Sequence, residues 1–126
     1  MDAKNKKILV VEDDRATLAA LSFKLQVKNI KADTAKDGQE AIEKIKNAAY
    51  DVILLDILLP KINGFTVLEE IRKKYPSAQT KVYMISNLGQ AEEVSKAMSL
   101  GADGYIVKAE TSLDGIVQKV TEITGN

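Results

Sequence analysis

The stretch Val52-Ile53-Leu54-Leu55 consists of four apolar residues and is followed at once by Asp56. A short apolar run bounded by polar residues is typical of a strand that is buried on both faces of a sheet. The stretch Ile8-Leu9-Val10-Val11 has the same character and runs into the acidic triplet Glu12-Asp13-Asp14. Both runs therefore predict buried strands with carboxylates directly after them.

Strand and helix signals alternate along the rest of the chain. Three more strands are predicted, at residues 30–35, 82–85 and 105–107, and the first is polar enough for a sheet edge. Helical spacing of apolar residues predicts a helix after each strand, the first from Arg15 to about Val27. Helix starts are indicated by Asn63 and by capping boxes at residues 37–40 and 111–114.

This alternation implies a mostly parallel sheet covered by helices on both faces. Right-handed crossovers favour an α/β fold of the doubly wound kind, a three-layer (βα)5 sandwich. No linker or repeat interrupts the pattern, so we expect a single domain over residues 1–126 with a core at about 7–124.

Composition excludes several chemistries. The 126 residues include no Cys and no His, and the formal net charge is zero. Zinc, haem and iron–sulfur sites and Ser-His or Cys-His catalysis are therefore excluded. A metal would have to bind oxygen ligands, which favours Mg²⁺, Ca²⁺ or Mn²⁺. The balanced charge predicts no general attraction to nucleic acid or membranes, and the apolar runs are too short to span a bilayer.

The start of the chain and the lack of Cys bear on location. The stretch Met1-Asp2-Ala3-Lys4 has no apolar core like that of a signal peptide. An absence of Cys is compatible with a reducing compartment. We therefore expect a cytoplasmic protein.

Polar residues follow four of the predicted strands. They are the acidic triplet after the first strand, Asp56 after the third, Ser86-Asn87 after the fourth and Lys108 after the fifth. Parallel strands end at one edge of the sheet, and in open α/β sheets that edge holds the ligand. Crowded carboxylates favour a divalent cation, and a nearby lysine and hydroxyl suit a phosphoryl group. Each residue also has an ordinary interpretation by itself; Asp14, for example, could simply cap the first helix.

Four motifs in this order make the sequence resemble the receiver domains of two-component response regulators, including single-domain chemotaxis regulators. The motifs are ILVVEDD at residues 8–14, DVILLDILLPKING at 51–64, MIS at 84–86 and GADGYIVK at 101–108. The resemblance covers essentially the whole chain. It implies a flavodoxin-like sheet with strand order 2-1-3-4-5.

The resemblance also implies a role for individual residues. Asp56 matches the phospho-accepting aspartate. The implied ligands of Mg²⁺, or of Mn²⁺ in its place, are Asp13 and Asp56 directly, Glu12 through water and the backbone carbonyl of Leu58. The implied phosphoryl-binding and switch residues are Ser86, Lys108 and Tyr105, of which Tyr105 could also be an ordinary tyrosine at the edge of the core. Asp14 and Asn87 are further candidates for the site.

The function implied is phosphoryl transfer from a phosphohistidine to Asp56. The donor would be a sensor histidine kinase or a phosphotransfer protein, and the phosphorylated surface would be recognised by a downstream protein effector. The protein would catalyse its own phosphorylation and dephosphorylation but act as a signalling switch, not as an enzyme. We expect no direct nucleic-acid or membrane partner, and a monomer or weak dimer.

Four positions depart from the family pattern, one of them Asn87, since the residue after Ser86 is usually small, commonly Ala. Ala109 follows Lys108 where the family usually has Pro, often after a cis peptide. A cis bond costs about 2.5–4 kcal/mol before Ala, so we predict either a trans bond with a reshaped loop or a strained cis bond. Leu58 and Leu88 occupy the positions that, in the family this sequence resembles, flank the path of the hydrolytic water. Apolar side chains cannot orient that water, so we predict slow autodephosphorylation.

Three alternatives were compared with this interpretation. A haloacid-dehalogenase-type phosphatase needs an acid two residues after its nucleophile, where this chain has Leu58. A flavin site needs a phosphate loop after the first strand, where the acidic triplet would repel a phosphate. A phosphorylation-independent interaction module would usually have lost Asp56 or Lys108, and both are present. The sequence leaves open whether the chain is a stand-alone regulator or part of a longer protein.

Overall fold

The computed structural model describes residues 6–87 and 89–125. Its centre is a five-stranded parallel sheet with the order β2-β1-β3-β4-β5. The strands are β1 (Ile8–Val11), β2 (Ala32–Ala35), β3 (Val52–Asp56), β4 (Lys81–Ser86) and β5 (Gly104–Val107). The predicted strand order is confirmed, and the polar strand β2 lies at an edge of the sheet.

Five α-helices cover the sheet, and a 3₁₀ turn at Lys108–Glu110 leads into the last of them. The helices are α1 (Arg15–Val27), α2 (Gly38–Asn47), α3 (Gly64–Lys74), α4 (Ala91–Ser99) and α5 (Leu113–Ile123). The described part of the chain contains no helix long and apolar enough to cross a membrane.

The core has two halves, one on each face of the sheet. Helices α1 and α5 pack on one face against Ile8, Val10 and Leu54. Helices α2, α3 and α4 pack on the other face against Leu9, Val11 and related strand residues. Because successive side chains of a strand point to opposite faces, a strand covered on both sides must be apolar throughout. This explains the continuous apolar runs and confirms the three-layer prediction.

Side chains cap the helices at the predicted places, with one correction. Asn63 Oδ1 accepts the Thr66 N–H at 3.1 Å, and Asp37 Oδ1 accepts the Glu40 N–H at 2.8 Å. At α5 the capping box predicted from Thr111 is wrong, because the cap is Ser112, whose Oγ accepts the Gly115 N–H at 3.0 Å.

The peptide between Lys108 and Ala109 is trans, and the chain continues from it into the 3₁₀ turn. The sequence predicted either a trans bond with a reshaped loop or a strained cis bond. The structure has the trans bond, followed by the 3₁₀ turn. Residues 1–5, on which the signal-peptide argument was based, and Leu88 lie outside the described residues.

Candidate functional site

The carboxyl edge of the sheet brings the predicted polar residues together. Glu12 directly follows β1, Asp56 and Ser86 are the last residues of β3 and β4, and Lys108 directly follows β5. Since β1, β3, β4 and β5 are neighbours in this order, their ends form one continuous edge. This is the edge at which open α/β sheets bind their ligands.

Three carboxylates lie close together at this edge. Glu12, Asp13 and Asp56 each offer an oxygen, and these oxygens all lie within 4.8 Å of one another. Glu12 and Asp56 are only 1% and 4% exposed, whereas Asp13 is exposed to solvent. The second oxygen of Glu12, Oε2, accepts the backbone N–H of Asp14 at 3.0 Å, which holds its carboxylate in place.

Lys108 is the counter-charge of the two buried carboxylates. Its Nζ donates to Asp56 Oδ2 at 2.8 Å and also to Glu12 Oε1. Burial alone would lower the pKa of the Lys108 ammonium, but the hydrogen bonds to Asp56 and Glu12, together with the negative charges of these two residues, outweigh burial and raise this pKa above its ordinary value. The ammonium therefore stays charged at neutral pH.

The site nevertheless carries an excess of negative charge, since one ammonium faces three carboxylates. Although Asp13 is largely exposed, partial loss of hydration beside the other carboxylates raises the pKa of its carboxyl, and a side-chain hydrogen bond with Glu12 and charge repulsion from Glu12 raise it further. A divalent cation that prefers oxygen ligands binds where carboxylates are crowded, because it neutralises their mutual repulsion. The residues present therefore fit a Mg²⁺ or Mn²⁺ ion.

The segment after Asp56 lies directly against its carboxylate. The Leu58 N–H donates to Asp56 Oδ1 at 3.4 Å, and Leu58 is 60% exposed. Gly64, the first residue of α3, lies so close that an added Cβ would come within 2.2 Å of the Asp56 carbonyl oxygen. The glycine therefore lets α3 begin beside the acidic group. Gly64 is the last residue of the motif at 51–64, but the sequence patterns did not predict this role for it.

Ser86 and Tyr105 form a second pair next to the carboxylates. Ser86 is fully buried at the end of β4, and its side chain hydrogen-bonds the Tyr105 hydroxyl on the neighbouring strand β5. Burial raises the pKa of Tyr105, the hydrogen bond with Ser86 lowers it in part, and the charges of Glu93 and Asp56 raise it. The influence of Asp56 on this tyrosine links the pair electrostatically to the acidic group.

The two further candidates lie at the margin of the site. Asp14 is exposed and caps α1, accepting hydrogen bonds from the backbone N–H and the hydroxyl of Thr17. These bonds with Thr17 hold the pKa of Asp14 below its usual value. The contacts of Asp14 are therefore those of a helix cap, as one of its two predicted interpretations expected. Asn87 is exposed immediately after β4.

The fold and the site can now be compared with known proteins. A family model described as the response regulator receiver domain matches residues 8–121, so the chain belongs to this family. The gliding motility regulatory protein of Myxococcus xanthus is 30% identical over 97% of the chain. The alkaline phosphatase synthesis transcriptional regulatory protein PhoP of Bacillus subtilis is 33% identical over 82% of the chain. The chain spans only 16% and 42% of these two relatives.

Solved structures show the same fold. A CheY-like receiver domain protein from Methanospirillum hungatei superposes with a TM-score of 0.86 at 29% identity, covering 95% of this chain and 94% of that one. The response regulator TrrA from Thermotoga maritima, determined in complex with Mg(2+)-BeF, has a TM-score of 0.79 at 33% identity, covering 94% and 98%. The CheX-CheY-BeF3-Mg+2 complex from Borrelia burgdorferi includes a chain with a TM-score of 0.83 at 32% identity, covering 94% and 88%.

Proposed function

We propose that this chain is a phospho-accepting switch in which Asp56 takes a phosphoryl group from the phosphohistidine of a sensor histidine kinase or phosphotransfer protein. One observation carries the proposal. The buried Asp56 carboxylate lies 2.8 Å from the Lys108 ammonium, and its oxygens are within 4.8 Å of those of Glu12 and Asp13. A nucleophilic carboxylate beside a fixed cation and a set of oxygen donors suits phosphoryl transfer better than any structural role.

The chemistry assigns a task to each residue. A carboxylate oxygen of Asp56 forms a bond to phosphorus while the phosphorus–nitrogen bond of the phosphohistidine breaks, and the imidazole leaves to take up a proton. The product at Asp56 is an acyl phosphate. Lys108, already bound to the Asp56 carboxylate, balances the charge of the transferring group, and the hydroxyl of Ser86 donates to one of its oxygens. Water then attacks the phosphorus of the acyl phosphate, the bond from phosphorus to the Asp56 oxygen breaks, and inorganic phosphate leaves while the Asp56 carboxylate is restored.

A Mg²⁺ ion, or Mn²⁺ in its place, completes the proposed site. Asp13 and Asp56 would bind it directly, Glu12 through water, and the backbone carbonyl of Leu58 would supply a further oxygen. When bound, the ion spreads the negative charge that develops on the phosphoryl group. The oxygen-only donor set and the raised pKa of Asp13 support this assignment.

Phosphorylation would act on a downstream protein through the Ser86–Tyr105 pair. The phosphoryl group adds negative charge and acceptor oxygens beside Ser86. If Ser86 turns to this group, the hydrogen bond between Ser86 and Tyr105 is broken and the adjoining segment of α4 can shift. Ala97 is the one fully buried residue in α4 of the described chain, so the packing opposes such a shift only weakly. The protein would act as a switch with two surface states, not as an enzyme with a separate substrate.

Acetyl phosphate and Mg²⁺ test the proposal without a kinase. Intact-mass spectrometry should show one added phosphoryl group on the wild type, none after Asp56→Asn, and none when the divalent cation is chelated. Asp51→Asn is the matched control, because Asp51 precedes β3 at the opposite edge of the sheet and accepts the Lys7 N–H at 2.8 Å. This variant should be modified like the wild type.

Two outcomes would overturn the assignment. If Asp56→Asn gains the phosphoryl group at the wild-type rate, another residue is the acceptor. If the wild type gains no mass and also fails to bind beryllofluoride in the presence of Mg²⁺, the chain is a phosphorylation-independent interaction module.

A further inference from the structure

We propose that Gly38, the first residue of α2, is a positioning residue for Asp56. It acts through the β3–α3 loop (residues 57–63), which connects Asp56 to α3. This inference rests on the proposed function, because it concerns the geometry of phosphoryl acceptance. Neither the motifs nor the family assignment gives Gly38 a role at the site.

Gly38 is in backbone contact with the β3–α3 loop. Its N–H donates to the Pro60 carbonyl oxygen at 3.5 Å. A Cβ added to Gly38 would lie 2.0 Å from the Ile62 carbonyl oxygen and 2.8 Å from the Ile62 carbonyl carbon. These are backbone atoms, so no change of side-chain rotamer can relieve the clash. Any other residue at this position must therefore push α2 and the loop apart.

A second contact holds the loop at the same place. Lys61 adopts a φ of 70°, in the left-handed region that residues other than glycine rarely occupy. Its Nζ lies 3.5 Å from Asp37 Oδ2, and the Asp37 side chain is 8% exposed. Ile62 and Leu59 anchor the loop by packing against the core on the α2 and α3 face of the sheet. The start of α2 therefore stabilises a loop conformation that is unfavourable by itself.

The loop transmits its position to Asp56. It is closed by the hydrogen bond from the Ile62 N–H to the Pro60 carbonyl at 2.8 Å and from the Gly64 N–H to the Ile57 carbonyl at 2.8 Å. Such a compact loop moves as a unit, so a displacement at Ile62 reaches Leu58. The Leu58 N–H contacts Asp56 Oδ1 at 3.4 Å, and the carbonyl of the same residue is the proposed backbone ligand. Gly38 thereby sets the orientation of both groups.

Gly38→Ala tests the inference, with Ile30→Val as the matched control. Ile30→Val also perturbs the packing, but in the half of the core on the opposite face of the sheet. Two quantities are measured: the initial rate of phosphorylation by acetyl phosphate at saturating Mg²⁺, and the amide resonances of Leu58 and Leu59 in the metal-free protein. Gly38→Ala should slow phosphorylation by roughly 10- to 100-fold, as displacements on the order of 1 Å do. It should also shift the Leu58 amide resonance, whereas Ile30→Val should change neither.

Lys61→Gly keeps the inference testable if Gly38→Ala does not fold. Glycine adopts a positive φ readily, so this variant should retain its stability while its loop is held less firmly. We expect slower phosphorylation and a shifted Leu58 amide without a lower midpoint of unfolding, a combination that a purely structural role would not produce.

The outcomes separate this inference from the proposed function. If the folded loop variants are phosphorylated at the wild-type rate with an unchanged Leu58 amide, Gly38 does not position Asp56, and the proposed function stands. If the wild type itself is not phosphorylated, the proposed function fails and the role of Gly38 in the reaction fails with it.

Discussion

Replacement of Lys108 by Met should destabilise the protein, because two buried carboxylates lose their shared ammonium partner. Met keeps most of the apolar stem of the lysine, so the change removes mainly the charge and its hydrogen bonds. Glu12 and Asp56 would remain 1% and 4% exposed, with no other cation among their contacts in residues 6–87 and 89–125. The acidic group would then consist of three mutually repelling carboxylates.

The size of the loss follows from the geometry. The Lys108–Asp56 distance of 2.8 Å corresponds to a Coulomb attraction of roughly 6 kcal/mol at an effective dielectric constant of about 20. Desolvation offsets much of this attraction, and removal of one partner from a buried pair usually costs about 3–5 kcal/mol. Because the Lys108 side chain is 21% exposed, we expect a loss near the lower limit, about 3 kcal/mol in the free energy of unfolding.

The loss should depend on pH and on Mg²⁺. The pKa of Lys108 is raised, so the wild-type pairing persists at neutral pH and is lost only as the pH rises through this raised value, above about 10.4. The difference from wild type should therefore shrink at alkaline pH, as the wild-type ammonium loses its proton. Mg²⁺ should reduce the difference at neutral pH because it supplies positive charge to the same oxygens.

Urea unfolding at several pH values, with and without Mg²⁺, measures these differences. Lys24→Met is the control, because Lys24 pairs with Asp114 at 2.9 Å in an ion pair whose side chains are 36% and 81% exposed. Removal of this pair should cost less than about 1 kcal/mol. A Lys108→Met loss no larger than that of Lys24→Met, or one that is independent of both pH and Mg²⁺, would refute the reasoning.

Three further predictions concern other parts of the molecule. Asp13→Asn should stabilise the metal-free protein at neutral pH, because it removes a carboxylate that Glu12 repels. The gain should be roughly 1 kcal/mol or less, since Asp13 is exposed. In urea unfolding, this gain should disappear as the pH falls through the raised pKa of Asp13, because the wild-type carboxyl then takes up a proton. The Arg72 guanidinium donates to Gly101 O, Thr80 O and Asp103 Oδ2 at 2.7–2.8 Å. Because one lysine cannot reach all three oxygens, Arg72→Lys should lower the free energy of unfolding in urea by about 3 kcal/mol. A decrease below about 1 kcal/mol would contradict this. Leu58→Asn with Leu88→Glu should accelerate the loss of phosphate from Asp56 in the absence of a phosphatase, and an unchanged rate would show that water access does not limit it.

Much of the fold could be predicted from local patterns. The run Ile8–Val11, and β3 up to its last residue Asp56, are apolar at every position, which is the requirement for a strand covered on both faces. Helix α1 begins and ends where its apolar spacing predicted, at Arg15 and Val27. Both signals depend on residues that are neighbours in the sequence, so no knowledge of distant contacts was needed.

Other features depended on contacts that local patterns do not contain. Thr111 and Ser112 both carry a hydroxyl suited to a helix cap, and the structure has Ser112 in this position, with Leu113 as the first residue of α5. The peptide before Ala109 is trans, as its lower local cost favours, but local patterns did not predict the 3₁₀ turn into which the chain continues.

The sequence by itself determined which chemistry this protein can carry. It has carboxylates, a hydroxyl and a lysine at strand ends, and it lacks the thiols and imidazoles that other metal and nucleophile chemistries need. Only the tertiary structure decided how these groups are combined. It placed Lys108 on both Glu12 and Asp56 and brought Gly38 against the Ile62 backbone. The physical reason is that charge pairing and backbone contact depend on distances of a few ångströms between residues far apart in the chain, which are fixed only when the sheet and its helices pack.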